Sequence, residues 1–218
     1  MKTDKQVRED VLEELRWDPT INEKAIGVAV KDGVVTLAGT VDTYVQKLNA
    51  ERAAERVSGV RALADDLTVT LPSPMGRSDS DIGRIAANAL DWNVEVPDKG
   101  VKVKVDNGWV TLDGKCEWQF QKTAAERAVR YLTGVRGVSN LIVVQPSKVL
   151  PSEVTQKIKD ALRRSAEYDA GRITVETADG KVILRGSVRS FAERDDAERA
   201  AWAAPGVSAV EDRIAVGV

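Results

Sequence analysis

The chain has 218 residues, 43% of them apolar, with 32 basic against 34 acidic side chains, no histidine and a single cysteine. A net charge of −2 gives no sustained pull toward nucleic acid, and without histidine there is no histidine-based triad, proton relay or zinc site. One cysteine cannot close an internal disulfide, and no run approaches the roughly 18 apolar residues of a membrane-spanning helix.

The N-terminal stretch MKTDKQVREDVLEEL carries charge every two or three residues and has no apolar signal core. A cytoplasmic protein is expected, or a periplasmic one if the translated start lies further upstream. The same stretch reads as an amphipathic helix. Thr3 and Gln6 form a capping box, and Val7, Val11, Leu12 and Leu15 recur at helical spacing. Two short alternating runs follow, Ile26, Val28, Val30 and then Val35, Leu37, Gly39, Val41, separated by Asp32-Gly33. Asp-Gly supplies the two positive φ angles of a type I′ turn, so the runs form a hairpin pairing Val30 with Val35, Val28 with Leu37 and Ile26 with Gly39. That face is expected beneath two helices, with Gly39 marking the close approach of a helix to the sheet. A second helix, rich in Ala, Glu and Arg, spans about 43–57, with Gly59 as its C-terminal cap. Leu63, Leu67 and Val69 mark a third strand, which the right-handed crossover rule makes parallel to the second.

The whole pattern then repeats. KDGVVTLAGTV at Lys31–Val41 returns at Asp106–Cys116 and at Ala178–Val188, offsets of 75 and then 72 residues. Gly33, Gly108 and Gly180 share the turn position; Gly39, Gly114 and Gly186 share the packing position. Val7, Val11 and Leu15 align with Ile82, Ala86 and Leu90, and again with Val154, Ile158 and Leu162. Proline-containing stretches at Leu71–Ser80 and Gln145–Ser152 read as linkers. The expected organisation is three α+β domains of order αββαβ, at 1–72, 77–146 and 150–218. Each has two helices on one face of a small mixed three-stranded sheet.

An Asp/Asn-Gly hairpin, V-x-L-x-G-x-V, an Ala-rich helix, then G-V and V-x-N-x-L/I together resemble the BON domain, named from bacterial osmotically induced and nodulation proteins. Asn140 matches the asparagine of the last motif, whereas Asp65 and Asp212 depart from it. The resemblance covers nearly the whole chain. It implies the αββαβ fold and a stress-associated, often envelope-located protein with phospholipid surfaces as a proposed ligand; chaperone-like and ion-sensing roles are attached to some relatives. It carries no catalytic motif, and many relatives have a secretory signal, which is not expected here.

No residues are singled out as catalytic or metal-binding, and no cofactor is expected. Cys116 falls in phase with Val41 and Val188 and reads as a small buried thiol with no base to activate it. Asp65-Asp66 and Asp195-Asp196 read as solvated or locally bonded carboxylates, and Asp65, Asn140 and Asp212 as residues that bond a backbone loop. Gly27, Gly33 and Gly39 punctuate a hairpin and form no phosphate loop.

The candidate binding residues are Trp109, Trp118, Lys102 and Lys104. Trp109 follows the second hairpin turn, opposite Asp106, and points away from the helices. Trp118 opens the next helix. Trp202, late in the third unit's second helix, joins them as an aromatic suited to an interface or to packing between units. The open sheet faces differ: small and uncharged in the first unit (Ala25, Gly27, Ala29, Val34, Thr36, Ala38), lysine-bearing in the second (Lys102, Lys104, Asp113, Lys115), mixed in the third. The first is the expected packing surface. Residues 73–149 carry 11 basic and 9 acidic groups, so only the middle unit is basic, and only slightly. The sequence thus leads to a non-enzymatic, multivalent protein of osmotic or envelope stress that binds phospholipid head groups or an envelope protein. A cytosolic protein-interaction or chaperone-like scaffold, and a sensor of ions or small ligands, stand as alternatives.

Overall fold

The computed structural model describes residues 2–72, 77–97, 100–146, 151–164 and 173–216, with backbone alone at 151–152 and 162–164. One order of elements runs through it three times. The first unit comprises α1 (Asp4–Trp17), β1 (Ile26–Lys31), β2 (Val34–Val41), α2 (Tyr44–Arg56) and β3 (Ala62–Val69). The second comprises α3 (Asp79–Asp91), β4 (Val101–Asp106), β5 (Trp109–Cys116), α4 (Gln119–Arg130) and a third strand in two pieces, β6 (Gly137–Asn140) and β7 (Val143–Val144). The third comprises α5 (Pro151–Arg164), β8 (Ile173–Ala178), β9 (Lys181–Val188), α6 (Phe191–Trp202) and β10 (Ala209–Val216).

Local chemistry sets these boundaries. The Thr3 hydroxyl accepts from Gln6 N while the Gln6 side chain accepts from Thr3 N, the capping box that starts α1. Asp32, Asn107 and Asp179 take φ of 52°, 51° and 48°, and each is followed by a glycine near 78°, so all three hairpins turn through two left-handed residues. The hairpin register pairs Val30 with Val35, Val28 with Leu37 and Ile26 with Gly39. The third strand runs parallel to the second in every unit. In the second unit Leu112 pairs with Asn140 and Lys115 with Val143, so β6 and β7 keep one register across a two-residue break. Each sheet buries one face under its two helices around a separate apolar core.

The stretches read as linkers lie partly outside the described residues, at 73–76 and 147–150. Where described, they end sooner than expected. The Ser78 side chain caps α3, which begins at Asp79, and Pro151 opens α5 in the first turn, where its missing N–H is not needed.

The reading of Gly39 changes. The nearest atoms that a side chain there would meet belong to neither α1 nor α2 but to Ala25, which ends a short 3-10 turn, and Ile26, which opens β1. A Cβ would lie 2.1 Å from the Ala25 carbonyl oxygen, and φ is +141°. At Gly114 the neighbour is Gly100 O at 1.9 Å, with φ +145°. The glycine is required by the backbone entering the neighbouring strand.

A further contact fixes each of the first two hairpins to its helix. The Asp4 carboxylate accepts from Asp32 N at 2.8 Å and Gly33 N at 3.0 Å, and Asp79 accepts from Asn107 N at 2.7 Å and Gly108 N at 2.9 Å. The carboxylate therefore satisfies two turn amides that face no strand. The corresponding position in the third unit is Pro151. Asp79→Ala is expected to cost the second unit about 1–2 kcal/mol, read as a lower urea midpoint with unchanged slope.

The units touch through their second helices. Tyr44, at the start of α2, packs against the second unit's core. Phe191, which holds the same position in α6, packs against the first unit's core. Trp202, at the end of α6, packs against the cores of both the second and third units. Hence each unit meets the other two. The open sheet face of the first unit, expected to be a packing surface, is not covered: Gly27, Ala29 and Ala38 are exposed and Val34 is 41% exposed. Pairing through the helices buries aromatic rings, which the small residues of that face could not supply.

Candidate functional site: the open sheet face of the second unit

Strand alternation sends every second residue of β4 and β5 away from the helices. Val103, Val105, Val110, Leu112 and Cys116 turn toward the core, leaving Lys102, Lys104, Trp109, Asp113 and Lys115 in solvent. The third strand adds two aliphatic side chains, Leu141 at 59% and Val143 at 56% exposure.

Trp109 is held in place, although half exposed. Its ring lies over the backbone of β6, where a Cβ on Gly137 would come within 2.4 Å of it, and its Nε1 donates to Ser139 Oγ at 2.8 Å. Lys102 faces Asp113 across the hairpin, Lys104 faces Thr111, and Lys115 lies beside Val143. Among the described residues none of these three lysines is ion-paired. The face combines three free ammonium groups, one carboxylate and a Trp–Leu–Val column.

The other two faces lack this combination. That of the first unit presents small uncharged residues. In the third unit Lys181 and Arg213 both pair with Glu211, and Arg185 with Glu176, so the charge is neutralised internally.

Three of the four expected binding residues, Trp109, Lys102 and Lys104, thus share one face. Trp118 stands apart, at the N-cap of α4, its ring 6.5 Å from that of Phe120. Leu141 and Val143 were legible in the alternation of the run Leu141-Ile142-Val143-Val144, whose even members are buried. Two further tryptophans went unnoticed. Trp17 and Trp92, 75 residues apart, occupy one repeat position at the end of each unit's first helix and are 85% and 87% exposed.

Cys116 is buried, and its thiol donates to Trp118 O at 3.2 Å; burial pushes its pKa up, away from the reactive thiolate. Asp65, Asn140 and Asp212 each accept, through one side-chain oxygen, the backbone N–H two residues on, at 3.1, 3.3 and 2.8 Å. Among the described residues no cluster of Asp, Glu or Cys is arranged to hold a metal ion, and no helix is long and apolar enough to cross a membrane.

Comparison with known proteins adds the family. The chain is 28% identical over 203 residues to osmotically-inducible protein Y of Escherichia coli K12, an alignment covering 88% of this chain and 94% of that protein. Among solved structures, CdsD, described as a structural protein of the type III secretion system of Chlamydia trachomatis, aligns over 97% of this chain and 92% of its own at 15% identity with a TM-score of 0.27. The PrgH periplasmic domain aligns over 95% of this chain and 100% of its own at 10% identity with a TM-score of 0.22. Superpositions this loose carry no argument about function. The BON domain model, by contrast, matches residues 3–70, 78–146 and 152–218. These are the three folded units seen in space, and with almost every residue accounted for, the chain belongs to the BON domain family.

Proposed function

We infer that this chain is a non-enzymatic, multivalent binding protein of osmotic or envelope stress, and that its second unit attaches to anionic phospholipid surfaces through the open face of β4, β5 and the β6–β7 strand. The observation that carries this reading is the joint exposure of Trp109, Leu141 and Val143 beside the unpaired Lys102, Lys104 and Lys115. A tryptophan ring with a polar N–H suits the depth of the head groups, and each lysine near an anionic leaflet contributes about 1 kcal/mol. The relative named for osmotic induction supports the stress association. A chain with no histidine and a buried lone cysteine supports a role without catalysis.

Vesicle flotation tests the reading. The chain should float with phosphatidylglycerol-containing vesicles at low salt, less at high salt, and weakly with phosphatidylcholine alone. Lys102→Gln with Lys104→Gln should weaken binding by about thirtyfold, and Trp109→Ala should weaken it even at low salt. If the wild type floats with no lipid composition, the surface is not a lipid face. The uncharged open face of the first unit would then favour the second reading, a protein-interaction scaffold, which predicts suppressed aggregation of an unfolded client.

A further inference from the structure

The first strand of each unit lies at the rim of its sheet, with one side free of any strand: β1 beside β2, β4 beside β5 and β8 beside β9. Lys115 N donates to Gly100 O at 3.2 Å, so the even-numbered residues of this strand bond to β5, and the amides and carbonyls of Val101, Val103 and Val105 face outward. In the first and third units the neighbouring helix closes that edge. Arg8 of α1 donates from Nε to Val28 O at 2.9 Å, the carbonyl that corresponds to Val103 O. Thr155 of α5, at the repeat position of Arg8, hydrogen-bonds through its hydroxyl to that of Thr177 in β8. In the second unit the position is Gly83, and among the described residues no donor replaces Arg8 at Val103 O.

The burial of the strands follows. Ile26 and Val28 of β1 and Ile173 and Val175 of β8 are buried, whereas Val101 and Val103, at the same positions, are only partly covered. Ala87, one turn beyond Gly83, is exposed where the first unit has Leu12 packed against its core. Thus β4 borders an open trough beside α3, with aliphatic side chains on its floor and strand backbone free to pair along its side.

We propose that the β4 edge is a docking site for an extended peptide strand of alternating aliphatic and acidic residues, supplied by another protein. Charge selects this occupant. Lys102 and Lys104 stand exposed on the outer side of β4, and among the described residues neither is ion-paired. A strand hydrogen-bonded to Val101, Val103 and Val105 sets its alternate side chains beside these lysines, where carboxylates are favoured and ammonium groups are not. Its other side chains turn into the trough and cover the three valines. A second copy of β4 fits badly: laid antiparallel about Val103, it sets Lys102 of each chain against Lys104 of the other. The two lysines therefore oppose self-pairing and admit an acidic strand. Main-chain bonds supply the affinity and the alternating side chains the selectivity.

The test titrates the nitrogen-15-labelled full chain with a capped peptide of about seven residues alternating valine and glutamate, and with its counterpart carrying lysine for glutamate. The glutamate peptide should shift the amides of Val101, Val103 and Val105 and slow their hydrogen exchange. It should bind about tenfold more tightly than the lysine peptide. No binding of the glutamate peptide, equal affinity for the two, or protection at β1 or β8 in place of β4 would overturn the proposal.

Gly83→Arg gives the second unit the side chain that closes the first. The residue lies inside α3, and its Cβ would meet Val105 Cγ2 at 3.7 Å, an ordinary contact, so the variant should melt close to the wild type. It should bind the glutamate peptide about tenfold more weakly or worse, yet float with phosphatidylglycerol-containing vesicles as the wild type does, because the open face is untouched. Undiminished peptide binding by Gly83→Arg would overturn the edge as the site. Gly83→Ala, which adds no donor, should bind as the wild type does, and a loss as large as that of the arginine variant would count against the open backbone as the cause. A wild type that binds the peptide and floats with no vesicle removes the phospholipid reading and leaves this one standing.

Discussion

Gly39→Val is expected to cost about 3–5 kcal/mol and to unfold the first unit ahead of the others. The residue sits at φ +141°, a conformation L side chains rarely adopt, and its missing Cβ would lie 2.1 Å from the Ala25 carbonyl oxygen, backbone that cannot swing aside like a side chain. The origin of the cost can be tested by comparing Gly39→Ala. If backbone conflict is the cause, alanine suffers nearly as much as valine, because the first carbon already collides. If a helix lay overhead, as the sequence pattern suggested, alanine would be tolerated and valine would not. Urea unfolding of both variants separates the two causes, and a Gly39→Ala protein as stable as the parent would refute the backbone account. Gly114 faces the same restriction from Gly100 O at 1.9 Å, so the equivalent pair of variants in the second unit should repeat the result.

Trp202→Ala should lose about 3 kcal/mol and turn one calorimetric transition into at least two. The ring packs against two cores at once, and its Nε1 donates to Glu198 at 3.2 Å, so truncation removes apolar contact from both units and leaves that carboxylate without its donor. A unit of about seventy residues buries a modest share of its surface alone and gains from a neighbour. Trp17→Ala is the control: with the ring 85% exposed, its melting curve should overlay that of the wild type. A Trp202→Ala protein that still melts in one sharp transition near the wild-type temperature would show that the units are coupled by something other than this ring.

What the sequence disclosed follows from how the repeat carries information. The hairpins were readable because Asp32-Gly33, Asn107-Gly108 and Asp179-Gly180 impose the same turn, and a turn of fixed length fixes the strand register on both sides. The crossover rule then placed the third strand beside the second. The seam between units was half hidden by the same comparison: Trp202 was legible as an aromatic for packing between units, whereas Tyr44 and Phe191 were not. Aligning the copies draws the eye to sameness, but Tyr44, Gln119 and Phe191 occupy one repeat position, and Glu55, Arg130 and Trp202 another. Contacts between copies need unlike partners, so these positions look like noise. The ties from Asp4 and Asp79 to the hairpin turns were equally silent, because a bond spanning 28 and 29 residues leaves no periodicity. The face around Trp109 was half legible: alternation gave the lysines and the ring, while Leu141 and Val143, set outward by the same alternation, went unnamed.

The helix seams have one more consequence. A contact made by different patches on successive copies can propagate from molecule to molecule without end, but here each of the three copies meets the other two within one chain. Phe191 of the last unit is spent on the first, so this contact joins the two outer units of the array. Among the described residues, the three aromatic side chains that join the units are thus spent within one chain and are not on offer to a second.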